Sequence, residues 1–175
     1  MHTYSVPMHR MVTIIFVLSV AVVAGAIVWC FRSGLTWSGI CALAVAGPLT
    51  LMYWYMLLVN PARTSISVSA EGITVEAPPF LKLAIPREDI SRTFEGSLDD
   101  ENLNIEKLDG AMRFGGYKNG RFVLKNGRKA VILTNKKRVF GLETADMLYL
   151  LGPAALDEFM ADVMADVRAG NDAGA

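Results

Sequence analysis

Residues 120–134 read Gly-Arg-Phe-Val-Leu-Lys-Asn-Gly-Arg-Lys-Ala-Val-Ile-Leu-Thr. Two apolar runs, 122–124 and 130–133, flank Lys125-Asn126-Gly127-Arg128. Asn-Gly is the preferred pair of a two-residue β-turn, because both positions take positive φ at little cost. The stretch therefore predicts a β-hairpin. The same grammar recurs on both sides. Upstream, residues 65–69 alternate apolar and polar, Ala70-Glu71-Gly72 turns, and residues 73–76 alternate again. Pro78-Pro79 interrupts before another short strand at 80–85, and residues 90–94 read as a fourth. Residues 98–109 read as an acidic loop or short helical turn. Downstream, Asn135-Lys136-Lys137 turns into residues 138–143, and residues 147–151 make a last strand. Many short strands at this spacing predict a small antiparallel barrel or sandwich of about seven strands.

After Gly152-Pro153 the period changes. Leu156, Phe159, Met160, Val163, Met164 and Val167 recur at steps of three and four. Asp157, Glu158, Asp162, Asp166 and Arg168 fill the opposite face. This is an amphipathic helix of roughly four turns, with Pro153 suited to its start and Gly170 to its stop. Its apolar stripe must be buried, and the open end or face of the strand domain is the nearest place. Leu156, Phe159 and Val163 are expected to face it. Residues 64–170 thus form one domain, and 171–175 a disordered tail.

Upstream of residue 64 the composition is different. Residues 1–63 carry Arg10, Arg32 and Arg63 and no acid, a formal charge of +3. The remaining 112 residues hold the other 14 of 17 basic residues and all 17 acids, 14 − 17 = −3. The net charge of zero is therefore the sum of two unlike parts, which explains a chain 53% hydrophobic but 19% charged. Residues 11–31 and 39–59 are two runs of 21 without a charge. At 1.5 Å per residue each makes about 31 Å of helix, one hydrocarbon thickness. The intervening residues 32–38 are too few for a crossing, so 11–63 reads as an antiparallel transmembrane hairpin. Residues 1–10 are an N-terminal tail. Pro48 removes a backbone donor inside the second span and is expected to kink it. Trp29, Phe31 and Trp37 near the loop, and Tyr53, Trp54 and Tyr55 at the far end, fit interfacial aromatic belts. Ala21, Ala24, Gly25, Ala42, Ala46 and Gly47 suit close helix approach, or are ordinary membrane-helix composition.

A secretory signal is the main rival for the first span, since Ala24-Gly25-Ala26 has the A-x-A form. The apolar run continues past it and is longer than a signal core of about 7–15 residues, which argues against cleavage. The hairpin puts both termini on one side. Arg10 and Arg63 flank the spans there against Arg32 alone in the loop, which favours cytoplasmic termini. Cys30 and Cys41 lie at the loop-proximal ends, either as a disulfide facing an oxidising compartment or as small apolar side chains. The strand domain has no cysteine.

Phe114-Gly115-Gly116-Tyr117, Gly120-Arg121-Phe122-Val123-Leu124, Asn126-Gly127, residues 130–134 and Val139-Phe140 through Glu143-Thr144 resemble bacterial PH-like (pleckstrin-homology-like) domains. The resemblance covers residues 64–168 and is sharpest over 113–160. It implies strands closed by a terminal helix, membrane association and no catalytic residues.

The residues carry little catalytic chemistry. Both histidines, His2 and His9, fall in the tail, so the domain is expected to lack a Ser-His-Asp site or a His-ligated zinc site. No phosphate loop or dinucleotide fingerprint occurs. Glu88-Asp89 and Asp99-Asp100-Glu101 are a cation or acid–base site on one reading and solvated loops on the other, the second favoured because no Gly-rich ligand loop accompanies them. More informative are nine basic residues between 113 and 138, with no acid between Asp109 and Glu143. Lys125, Arg128, Lys129, Lys136, Lys137 and Arg138 are expected to share adjacent hairpin tips and meet anionic lipid, each worth about 1 kcal/mol near the surface. Otherwise they are a solvated edge that discourages strand aggregation. Nucleic acid is not expected, because the domain is net acidic and its aromatics are not interleaved for stacking.

The sequence thus points to an α+β chain: a two-helix transmembrane hairpin, then a PH-like domain facing the cytoplasm at a bacterial inner membrane. Its expected role is a non-catalytic scaffold or sensor for a protein partner or anionic lipid, with no cofactor and no metal. The alternative is a small enzyme using only carboxylates and lysines.

Overall fold

A computed structural model describes residues 2–69, 71–79 and 81–172, with side chains to residue 165. The sequence readings at Ala70, at Phe80, for the side chains of 166–170 and for the tail at 173–175 lie outside these. The chain forms two compact units, Met8–Pro61 and Met1–Pro7 together with Ala62–Ala175.

In the first unit, α1 (Arg10–Arg32) and α2 (Thr36–Trp54) form the expected helix pair. Residues 33–35 join them, a tighter loop than 32–38. His9 caps α1 by accepting from the Met11 N–H at 3.3 Å. Pro48 does not end α2, which continues through a π-helical turn at Tyr55–Val59 into the short α3 (Asn60–Ala62). Gly39 is the buried residue of α2, where an added Cβ would meet the Phe31 ring at 3.1 Å. No side chain of α1 is buried, and Ile14, Leu18, Val22, Leu43 and Leu51 are exposed. Both helices are long and apolar enough to cross a membrane. A core helix of a soluble protein would have buried these side chains. Cys30 and Cys41 are free thiols.

The second unit begins where the sequence suggested a tail. Residues 2–5 form β1 (His2–Ser5), which pairs antiparallel with β2 (Ser65–Ser69), Tyr4 opposite Ile66. β3 (Gly72–Ala77) and β4 (Leu81–Pro86) complete a four-stranded sheet in the order β1-β2-β3-β4. Here the alternation holds: Ile66, Val68, Ile73 and Val75 are buried and the residues between them half-buried.

The other strands form a six-stranded sheet in the order β5-β9-β10-β8-β7-β6. They are β5 (Arg92–Ser97), β6 (Ile105–Phe114), β7 (Tyr117–Leu124), β8 (Lys129–Thr134), β9 (Arg138–Glu143) and β10 (Leu148–Gly152). The Asn126-Gly127 hairpin joins β7 to β8 as read from sequence, with Gly127 at φ 78°. Two expectations change. Residues 98–109 divide into a loop with a 3-10 turn and the start of β6, an exposed edge strand. The connection 135–137 is not a hairpin turn: β9 lies beyond β10, and β10 runs parallel to β8, with Leu148 opposite Ala130. A closed barrel is not seen. No ladder joins edge strands β5 and β6, and the architecture is two sheets with ten strands among the described residues.

The sheet's two faces bury different side chains because successive residues point to opposite sides. Phe122, Leu124, Ala130, Ile132, Val139, Leu148 and Leu150 form one cluster with Leu98 and Leu103 from the 98–104 connection. Phe140, on the opposite face from Val139, meets the C-terminal helix α4 (Leu156–Asp172). Leu156, Phe159 and Val163 of α4 are buried as expected, whereas Met164 is exposed. The Phe159 ring meets Tyr4 edge-on at 5.4 Å and Phe140 at 5.9 Å. Gly170 does not stop the helix, which runs to Asp172.

Candidate functional site

Strand β8 decides where the basic residues go, because they flank its two ends. Lys125, Arg128 and Lys129 lie at the start of β8, and Lys136, Lys137 and Arg138 follow its end. Six residues of strand separate the groups by about 20 Å. They are not adjacent tips. Acids from elsewhere in the chain also reach them. Arg128 pairs with Glu143 at 2.8 Å, Lys137 with Asp99 at 2.8 Å, and Arg138 with Glu95 and, at 2.8 Å, with Asp157. The hydrogen bond from Arg138 holds the Glu95 carboxyl below its ordinary range. Lys136 donates to the Ala154 carbonyl at 2.9 Å. Lys125 and Lys129 are exposed at the far hairpin.

At the Lys136–Lys137 end the structure gathers two cations that the sequence reading had left outside its site. Arg113 and Lys118 are directly opposed across the β6–β7 pair, at the foot of the Gly115-Gly116 turn. With Asp99, Asn135, Lys136 and Lys137 they line a cleft of about 540 Å³. Gly115 has φ 57°, and a Cβ on Gly116 would press on the Asn135 carbonyl oxygen at 3.0 Å. The two glycines let this turn and the 135–137 connection form facing walls. Four cations and one carboxylate give the lining a formal charge of 4 − 1 = +3. Lys118 is half-buried, and burial first, then the charge of Arg113, push its ammonium below the ordinary lysine value. Among the described residues no carboxylate lies within ion-pair distance of Arg113 or Lys118. Asn135 donates through Nδ2 to the Pro7 carbonyl at 2.7 Å. The cleft wall is thereby tied to the residue three positions before α1 begins.

A second polar cluster revises the placement of the histidines. His2 belongs to β1, and its Nδ1 lies 2.8 Å from Asp162 Oδ2 of α4. The Tyr4 hydroxyl donates to the same carboxylate oxygen. Burial, then that hydrogen bond, push the Tyr4 phenol up to about 12, so it stays a donor at physiological pH. The cluster fastens the N-terminal strand to the C-terminal helix. Sequence reasoning missed it because its members are 158 residues apart.

The acidic stretches remain dispersed. Glu88-Asp89 sit in a 3-10 turn, Asp99 pairs with Lys137, and Asp100 accepts the Ser97 N–H at 2.9 Å. Among the described residues no group of three or more His, Cys, Asp or Glu side chains is placed to hold a metal ion. A mixed-charge depression of about 460 Å³, lined by Arg92, Glu95, Asp100, Arg128 and Glu143 among others, also lies on the six-stranded sheet. There the opposite charges are mutually compensated by the Arg128–Glu143 pair. Comparison with protein-family models, with curated proteins and with solved structures finds no match to this chain.

Proposed function

We propose that the chain is a membrane-anchored, non-catalytic binding module of PH-like character, in which the cationic end of the β-unit meets anionic groups at the membrane face. The observation that carries the reading is the bond between Asn135 and Pro7. It fixes the cationic connection 135–137 to a residue three positions before the first apolar helix. Only about 11 Å of extended chain, three residues, lies between that bond and the start of the first apolar helix. Each cation near an anionic surface contributes about 1 kcal/mol. The order of strands followed by a terminal helix supports the PH-like character.

The test uses the full chain in nanodiscs of neutral or anionic lipid. Amide hydrogen exchange at residues 113–118 and 135–138 is expected to slow in anionic discs only. The protection should fade as salt rises, since the Debye length is about 8 Å at physiological ionic strength. Equal exchange in both discs would move the function to a protein partner.

The pairing of β1 with β2 supports an even number of crossings, because the strands flanking the helix pair belong to one sheet. We further propose that this side is the cytoplasm of a bacterial inner membrane, on the count of Arg10 and Arg63 against Arg32. A C-terminal cytoplasmic reporter should be active and a periplasmic one silent. The reverse result would invert the orientation.

The enzyme alternative has one observation in its favour, the depressed ammonium of Lys118 inside a cleft. An amine-dependent reaction also needs a general acid or base within reach of the reacting atoms. The cleft's carboxylate, Asp99, is bound to Lys137 instead.

A further inference from the structure

The charges of the cleft are arranged at a cost. Directly opposed like charges destabilise an antiparallel pair, and Arg113 and Lys118 are such a pair. Lys118 is moreover half-buried, where an unpaired ammonium is poorly solvated. The solvated face of an edge strand has no need of either feature. The far hairpin, with Lys125 and Lys129 in open solvent, shows the inexpensive way to display cations. An anion seated between Arg113, Lys118 and Lys137 would relieve both. Arg113 offers a planar fork of donors and Lys118 a point charge, a combination suited to a tetrahedral oxyanion. The volume, about 540 Å³, accommodates a phosphate with an attached organic group.

We propose that the cleft between the Gly115-Gly116 turn and the 135–137 connection is a discrete phosphate-binding site, with Arg113 and Lys118 as its principal ligands and Lys136 and Lys137 at its rim. The inference sharpens the reading of the cationic end given above and rests on that end being the functional one. It differs in assigning recognition to two residues on facing strands and not to the hairpin cations Lys125 and Lys129. The phosphate comes either from a phospholipid head group or from a soluble phosphorylated molecule, and the chemistry of the ligands is the same for both.

The test uses the full chain in neutral detergent, titrated with inorganic phosphate at constant ionic strength, with chloride as control. Phosphate is expected to raise the thermal midpoint and chloride to leave it unchanged. Lys118→Met should weaken phosphate binding about tenfold or more, because hydrogen bonds to charged groups are among the stronger ones. The same substitution should raise the midpoint without phosphate, by removing the opposed charge. Fold loss in that variant would lower it, so the two effects separate by sign. Arg113→Gln should also weaken binding, and Lys125→Met with Lys129→Met should not. The source is decided in nanodiscs: phosphatidic acid, which exposes a phosphomonoester, against phosphatidylcholine. Protection of 113–118 by phosphatidic acid assigns the lipid source, and binding of inorganic phosphate without it assigns the soluble one. No phosphate-specific shift, or an equal shift in Lys118→Met, overturns the site. If anionic discs still protect the cationic end in that case, the surface reading stands and the discrete site alone falls.

Discussion

Replacing Phe159 by Ala is expected to destabilise the β-unit by about 3–5 kcal/mol, the range for deleting a fully buried aromatic side chain. Phe159 has no exposed surface, and its ring is the meeting point of three elements. It stands edge-on to Tyr4 of β1 and to Phe140 of β9, so the cavity left behind would be lined by rings held in separate elements. Such a site collapses poorly, which places the cost toward the upper end. Tyr4 is additionally held by the Asp162 carboxylate of the same helix, so it cannot follow into the space without losing that bond. Tryptophan fluorescence would not report the loss, because Trp29, Trp37 and Trp54 all lie in the helical pair. Amide exchange of β9 and β10 in the full chain would, and is expected to accelerate about a hundredfold or more through global opening. Met164→Ala, on the exposed face of the same helix, should change it little. Unaltered exchange in Phe159→Ala would mean that α4 is not part of the cooperative core.

Phe159 was legible because a helical stripe repeats over successive turns, each turn supporting the next. The strands at 65–69, 73–76, 130–134 and 138–143 were legible for the same reason: alternation or a continuous apolar run, closed by turn residues. β6 was not. As an edge strand with register shifts between Leu108 and Ala111, it buries little, and its Glu106, Lys107 and Asp109 read as a loop. Gly110 at φ 71° and Gly120 at φ 125° accommodate that irregularity, and a Cβ on Gly120 would come within 2.6 Å of the Ala111 backbone. Such an irregular strand blunts a sheet edge against pairing with other chains. The cost of that protection is a weak sequence signal.

The candidate site was legible as composition and not as geometry. Nine cations over residues 113–138 marked the region, but spacing alone could not order the strands. An antiparallel meander would have put β9 beside β8. β10 lies between them instead, and it is the β6–β7–β8 register, Arg113 opposite Lys118 and Lys118 opposite Thr134, that brings these two cations to the connection 135–137 and keeps Lys125 at the other end of β8. The neutralising acids were equally hidden. Glu95, Asp99, Glu143 and Asp157 lie outside the basic run and reach it only through the fold.

A chain that begins at residue 62 is expected not to fold into the unit described above, although it contains every residue of the apparent strand domain. It lacks β1, and with it Tyr4 and Val6, which are 8% and 0% exposed. Full burial of such side chains stabilises by about 1.5–3 kcal/mol each, so the loss is about 3–6 kcal/mol. That is comparable with the whole stability of many domains, about 5–15 kcal/mol. The truncation would also bare the edge of β2, an invitation to strand pairing between molecules. The remedy follows from the register. Ser5 lies opposite Ser65, so β1 and β2 are a β-hairpin into which residues 8–61 are inserted. Replacing 8–61 by a short Gly/Ser linker should yield a monomeric, soluble unit with Ile66 and Val68 protected from exchange. The fragment starting at 62 should aggregate or exchange freely under the same conditions. Equal protection in the two fragments would reduce β1 to an adhering tail. If the linked form alone folds, β1 is part of the cooperative core of the β-unit, and residues 8–61 are an insertion within its first hairpin.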